Sequence, residues 1–181
     1  EKNIEVAYEV ISKDTQNFFS FHSLPRIDSI AISELHEGYF KDSKISADNF
    51  PFDKYFYRKE PCLVSIFETE FGNIGEIILP IFQSKIYSKT HELNNLILQS
   101  IQMGKNLGAK AVSMTGLLPS ATNYGISIDN MIQAKDMPKI TTGHAVTVSA
   151  VLLNIQKTFK ITKRKIQSES IGFLGLGSIG L

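Results

Sequence analysis

The chain has 181 residues, of which 43% are hydrophobic and 20% charged, enough to bury one domain core with a small extension. Its 19 basic and 18 acidic residues leave a net charge of +1, which lacks the basic excess that general nucleic-acid binding requires. The single cysteine, Cys62, excludes an intrachain disulfide framework and points to a reducing, cytoplasmic setting. No signal peptide is visible, and no apolar run approaches the ~18 residues of a membrane span, so no integral membrane segment is expected.

The first sixty residues carry the weakest pattern. Glu5–Ile11 suits the start of a helix or of a strand, Phe18–Pro25 reads as a packed connection, and Asp42–Lys54 reads as loop. From Pro61 the signal sharpens. Cys62–Thr69 and Glu76–Phe82 are rich in β-formers, and Phe71-Gly-Asn-Ile-Gly75 between them predicts a hairpin.

Leu93, Leu96, Ile97 and Ile101 then recur at helical spacing, with Ser88 or Thr90 as the cap and Gly108 as the stop. Ala109–Met114 predicts a short strand, ending at Thr115-Gly116 and leading into a loop that contains Pro119 and Ser120. After a less readable stretch to Pro138, Thr141-Thr142-Gly143 precedes a second helix. Its stripe is Val148, Val151, Leu152, Ile155 and Phe159. The basic run Lys157–Lys165 reads as a solvated helix end and loop. These steps predict an α/β fold with a layered substrate-side domain over 1–166.

The last residues, Ile171-Gly-Phe-Leu-Gly-Leu-Gly-Ser-Ile-Gly-Leu181, read as a buried strand entering a G-x-G-x-x-G turn. Gly175 would make the tight turn, Gly177 would admit a pyrophosphate close to the backbone, and Gly180 would let a following helix pack closely. Ser178 and Ile179 complete the cofactor-binding set. The helix that would hold the pyrophosphate is not in the sequence, so 167–181 is expected to be the start of a truncated Rossmann-type domain for NADP or NAD.

Two other polar loops join this turn as candidates, since ligands in open α/β sheets sit outside the carboxyl ends of strands. They are Gly116 with Ser120, and Thr141-Thr142-Gly143, all expected on the substrate side. Thr142 can also act simply as the cap of a helix starting near Ala145. His144 flanks that loop and is the acid–base candidate. His22, His36 and His91 have no metal-ligand spacing with one another or with Cys62, so no metal site is expected. Cys62 opens an apolar strand, where a cysteine usually packs as a small hydrophobe.

The order of these motifs resembles the bacterial long-chain acyl-[acyl-carrier-protein] reductases. The resemblance runs from Gly75 to Leu181 on three pieces. Ile78-Leu-Pro80, a helix, and Gly108–Gly116 with Ser120 resemble that family's leucine-proline, helix, "G-(I/V)-D-I" strand and "G-x-F-T-S" loop. Ile140-Thr-Thr-Gly143 is similar to its "F-T-T-G-N". The third piece is the glycine turn. Where the family carries asparagine, phenylalanine and threonine this chain has His144, Leu118 and Pro119, and its turn is the shorter dinucleotide form.

The resemblance implies reduction of an acyl thioester, on acyl-carrier protein or coenzyme A, to an aldehyde through an acyl-cysteine. The nucleophile is expected beyond Leu181, because Cys62 matches no such position. Two alternatives stay open. One is an amino-acid or shikimate-type dehydrogenase using Lys85, Lys89 or Lys110; the other is a non-catalytic acyl-binding module. A homo-oligomer is compatible with all three.

Overall fold

A computed structural model describes residues 25–40, 46–132 and 134–172. Five strands form one mixed sheet in the order β2-β3-β1-β4-β5. β1 (Ser29–Leu35) is central, parallel to β3 (Gly72–Phe82) on one side and to β4 (Ala111–Met114) on the other. β5 (Lys139–Thr141) runs parallel outside β4, and β2 (Cys62–Thr69) closes the opposite edge antiparallel to β3. The α/β class expected from the sequence is the class observed.

The hairpin forms where the glycines predict it, but its turn is tighter. Only Glu70 and Phe71 separate the paired residues Thr69 and Gly72. Gly72 takes φ 128°, a conformation open to glycine, and the Thr69 hydroxyl donates to its carbonyl at 2.7 Å. Along β3 the side chains alternate, so Ile77, Leu79 and Ile81 enter one apolar cluster while Ile78 and Phe82 enter another.

The first cluster lies under α2 (Thr90–Asn106), whose Leu93, Leu96, Ile97 and Ile101 meet Ile30, Ile32, Val112 and Met114. Each such side chain contributes about 1.5–3 kcal/mol on full burial. Gly104 lets the helix close on β1, since a Cβ there would lie 3.0 Å from Ile30. The second cluster joins Leu35, Cys62 and Phe82 to Phe50 and Phe56, which flank the single turn α1 (Phe52–Tyr55). The rings of Phe50 and Phe82 meet edge to face at 5.2 Å.

α2 ends as the sequence predicts. Gly108 has φ 88°, its N–H donates to the Lys105 carbonyl, and Ala109 N–H donates to Gly104 at 2.9 Å, the two bonds of a Schellman stop. Its start is different: Lys89 is the capping position, while the Ser88 hydroxyl turns back to the Lys85 carbonyl at 3.0 Å.

The contacts divide the chain into two compact units, Glu1–Thr142 and Gly143–Leu181. Within the second unit α5 spans His144–Thr162, with no residue of the helix buried. Of its apolar stripe, Val148, Ile155 and Phe159 are half-buried and Val151 and Leu152 exposed. The basic end is exposed, with Arg164 paired to Glu169. No helix of the described residues is long and apolar enough to cross a membrane.

Candidate functional site at the carboxyl edge of the sheet

β1 is followed in the chain by strands on one side of it, β2 and β3, whereas β4 and β5 lie on the other. The loops that leave β1 and β4 therefore diverge, so the carboxyl edge between these strands is the topological switch point of the sheet. Two of the loops expected to bind substrate emerge at this carboxyl edge. β4 and β5 pair in parallel with Ser113 opposite Thr141, so Thr115–Leu117 and Thr141–Thr142 leave the sheet side by side.

The turn after β4 is tied to the end of β1. Thr115 N–H donates to the Ile32 carbonyl at 3.0 Å, and its hydroxyl reaches the same oxygen at 2.8 Å. That hydroxyl is also 3.0 Å from Ser33 Oγ. Gly116 then takes φ 57°, and Leu118 N–H closes the turn on the Thr115 carbonyl at 3.1 Å.

Under this turn sits Glu34, which the sequence reading did not single out. It is 7% exposed. Its Oε1 accepts from Leu117 N–H at 3.1 Å and from Gln83 Nε2 at 3.2 Å. Its Oε2 is buried and has no hydrogen-bond partner. A Cβ on Gly116 would lie 2.5 Å from Oε1, so glycine is required there both for the backbone and for the carboxylate. No ion pair to Glu34 is present among the described residues.

A signal for Glu34 does exist in the sequence. Ile30, Ile32 and Glu34 share one phase of a period-2 strand, which puts an acid where the pattern requires an apolar residue.

The second acid on this edge, Glu37, accepts from Ser84 N–H at 3.3 Å. Partial burial acts to raise its carboxyl, but hydrogen bonds from Ser84 and the nearby His36 outweigh that and hold it below its ordinary value.

The chain matches no protein-family model and no curated protein sequence.

The other candidate residues distribute as follows. Ser120 is exposed on the short helix α3 (Leu118–Ala121), away from the hydrogen-bonded turn. Thr141 ends β5, and the Thr142 methyl packs near Gly125, which opens the short helix α4 (Ile126–Asp129). Thr142 is not the cap of α5. Gly143 occupies that position with φ 70°, and the helix begins at His144, one residue earlier than expected.

Gly143 and His144 belong to the second unit. Gly175, Gly177, Ser178, Ile179 and Gly180 lie outside the described residues.

Cys62 is buried in the second cluster, and burial pushes its thiol up to about 12. Such a thiol stays protonated and unreactive at neutral pH. Lys110 precedes β4, at the amino edge, with its N–H on the Asp28 carbonyl. Lys85 is paired with Asp48 at 2.9 Å and Lys89 with Glu92 at 2.8 Å. A groove beside β5, lined by Asp129, Lys135, Met137 and Lys139, lies toward the amino end of that strand and apart from the switch point.

Proposed function

We propose that this chain forms the substrate-side part of an NAD(P)H-dependent reductase that converts a fatty acyl thioester, carried by acyl-carrier protein or coenzyme A, to an aldehyde. The observation that supports the oxidoreductase reading is the placement of the Thr115–Leu117 turn, tied to the buried Glu34, at the carboxyl ends of parallel strands, where ligands of open α/β sheets bind. The thioester rests on the motif order of the sequence, from Leu79-Pro80 through Gly116 and Thr141-Thr142-Gly143 to the glycine turn that begins at Gly175.

The thioester chemistry requires a nucleophile of low pKa. Cys62 is unsuited to it, so the acyl-enzyme is assigned to a cysteine other than this one. The second reading, an amino-acid or shikimate-type dehydrogenase, is favoured by the polar side chains at this edge, where Gln83 donates to Glu34 and, separately, Ser33 meets Thr115. None of Lys85, Lys89 and Lys110 is joined to that group by an ion pair or hydrogen bond among the described residues.

The test is aldehyde formation from a long-chain acyl thioester with NADPH or NADH, using the protein that carries this chain. Turnover retained in Cys62→Ala supports the assignment. NAD(P)-linked oxidation of an amino or hydroxy acid without aldehyde formation transfers it to the second reading. The absence of any nicotinamide-linked turnover removes the reductase altogether.

A further inference from the structure

We propose that the open edge of β2 binds a second copy of this chain, the two β2 strands pairing antiparallel about a two-fold axis so that the sheet runs on from one copy into the other. β2 is an edge strand, and among the described residues it is paired with β3 alone. Such an edge holds a row of N–H and C=O groups ready to pair with another chain, which folded proteins blunt by shortness, charge or cover. The opposite edge of the sheet is short, since β5 has three residues where β2 has eight.

Apolar surface lies along the β2 edge. Phe67 is 53% exposed, and Phe71, in the turn that follows, is 91% exposed. Val64 and Ile66 are half-buried, each packed against a different core cluster, so both faces of the edge carry apolar side chains that are partly in water. A strand laid beside β2 covers both.

Charge decides which strand fits. Arg58 and Lys59 stand exposed just before β2, and Glu68 and Glu70 stand exposed at its far end. Glu60 offsets one of the two cations, so the amino end keeps a positive charge. A two-fold axis through the joined edges makes the strands antiparallel and sets the cations of each copy beside the acids of the other, at both ends of the ladder. Parallel pairing would set cation on cation and acid on acid. The bulge between Leu63 and Ser65 interrupts the edge near its middle, which keeps the ladder weak and gives the charged ends a large share in its strength. Pairing occupies the β2 edge of both copies, so association stops at a dimer.

Sedimentation velocity on the protein that carries this chain measures association over about a hundredfold range of concentration. Amide hydrogen exchange across β2, read at both ends of that range, locates it. The expected result is a dimer whose β2 amides exchange more slowly as concentration rises. Arg58→Glu with Lys59→Glu makes both ends acidic, and Glu68→Lys with Glu70→Lys makes both ends basic. Each double variant alone should lose about tenfold or more in dimer affinity, and an equal mixture of the two should recover it, because every end of the mixed pair again joins acid to base.

A protein that stays monomeric throughout overturns the proposal, as does a dimer that leaves the β2 amides unprotected. Protection of β2 that is the same at every concentration also overturns it, and assigns the cover of this edge to another segment of the same chain. Folded variants that dimerise as the wild type does, or that fail to recover on mixing, overturn the antiparallel pairing. The wild-type exchange pattern decides the matter even where a variant fails to fold.

Discussion

The two ends of β1 use the same pair of parts with different results. At the amino end Asp28 sits against Gly72, and at the carboxyl end Glu34 sits against Gly116. In each place a glycine at positive φ lies so close that a Cβ would come within 2.6 Å of a carboxylate oxygen. The Asp28 carboxylate is complete: Oδ2 takes the Asn73 N–H at 3.0 Å and Oδ1 pairs with Arg26 at 3.3 Å, with its side chain 38% exposed. The Glu34 carboxylate is sealed from water with one oxygen unused. Asp28 is a clasp that fixes the hairpin on the start of β1. Glu34 has the geometry of a clasp and an acceptor left over, at the carboxyl edge of the sheet.

The comparison breaks first at Gly116. Gly116→Ala forces a left-handed alanine and drives its Cβ into a carboxylate that cannot swing into solvent. The expected loss is about 2–4 kcal/mol in urea unfolding. In the background Glu34→Ala the collision is gone and only the backbone share, about 1–2 kcal/mol, should remain. Equal losses in both backgrounds would mean that the carboxylate does not press on the turn.

A smaller contrast sharpens the distinction between the clasps. Asp28→Ala leaves the Asn73 N–H without its acceptor and should cost about 1–2 kcal/mol. Glu34→Gln keeps both hydrogen bonds at the Oε1 position, so its cost should stay below that of Asp28→Ala. If Glu34→Gln destabilises as much as Asp28→Ala, the two carboxylates act alike as structural clasps.

The smallest effect concerns Cys62, beyond both clasps. Its thiol is raised to about 12 by burial, so the folded protein keeps a proton that the unfolded chain releases at its ordinary value of 9.0. That stabilisation is complete at neutral pH and is lost as pH climbs from the unfolded value toward the folded one. The stability advantage of wild type over Cys62→Ala should therefore shrink by about 1 kcal/mol near pH 10 relative to pH 7. Iodoacetamide should label the thiol only through unfolding. A pH-independent difference, or rapid labelling of the native protein, would mean that the thiol is accessible.

Local signals carried much of the fold. The hairpin was legible because Gly72 and Gly75 interrupt two runs of β-formers. α2 was legible because four apolar residues keep helical spacing over its length and Gly108 ends it. β1 was not, although it is the centre of the sheet. Its seven residues hold Ser29, Ser33 and Glu34, and an acid in the buried phase disguises the strand. The same residue hid both the strand and the candidate site. β5 was missed because three residues are too few to show a period. Gly116 was picked out as a glycine at an element boundary, but its partner stands 82 positions earlier, and separation of that kind leaves no local trace. Thr142 was taken for a cap on residue type alone, whereas backbone geometry gave that place to Gly143.

The central position of β1 has a consequence for how the chain is made. Ribosomes deliver residues in order, at about 5–20 per second, and β1 is the first strand of the sheet to be synthesised. One of its neighbours, β3, arrives only after the intervening hairpin strand, and the other, β4, only after the whole of α2. For several seconds the most apolar part of β1 is without the partners on both of its edges, while the β2–β3 hairpin can close on itself at once. A nascent chain paused within α2 is therefore expected to leave Ile30 and Ile32 without their full helix and β4 cover. Synonymous codon changes that alter the tempo of that stretch would change the yield of folded protein without altering a single side chain.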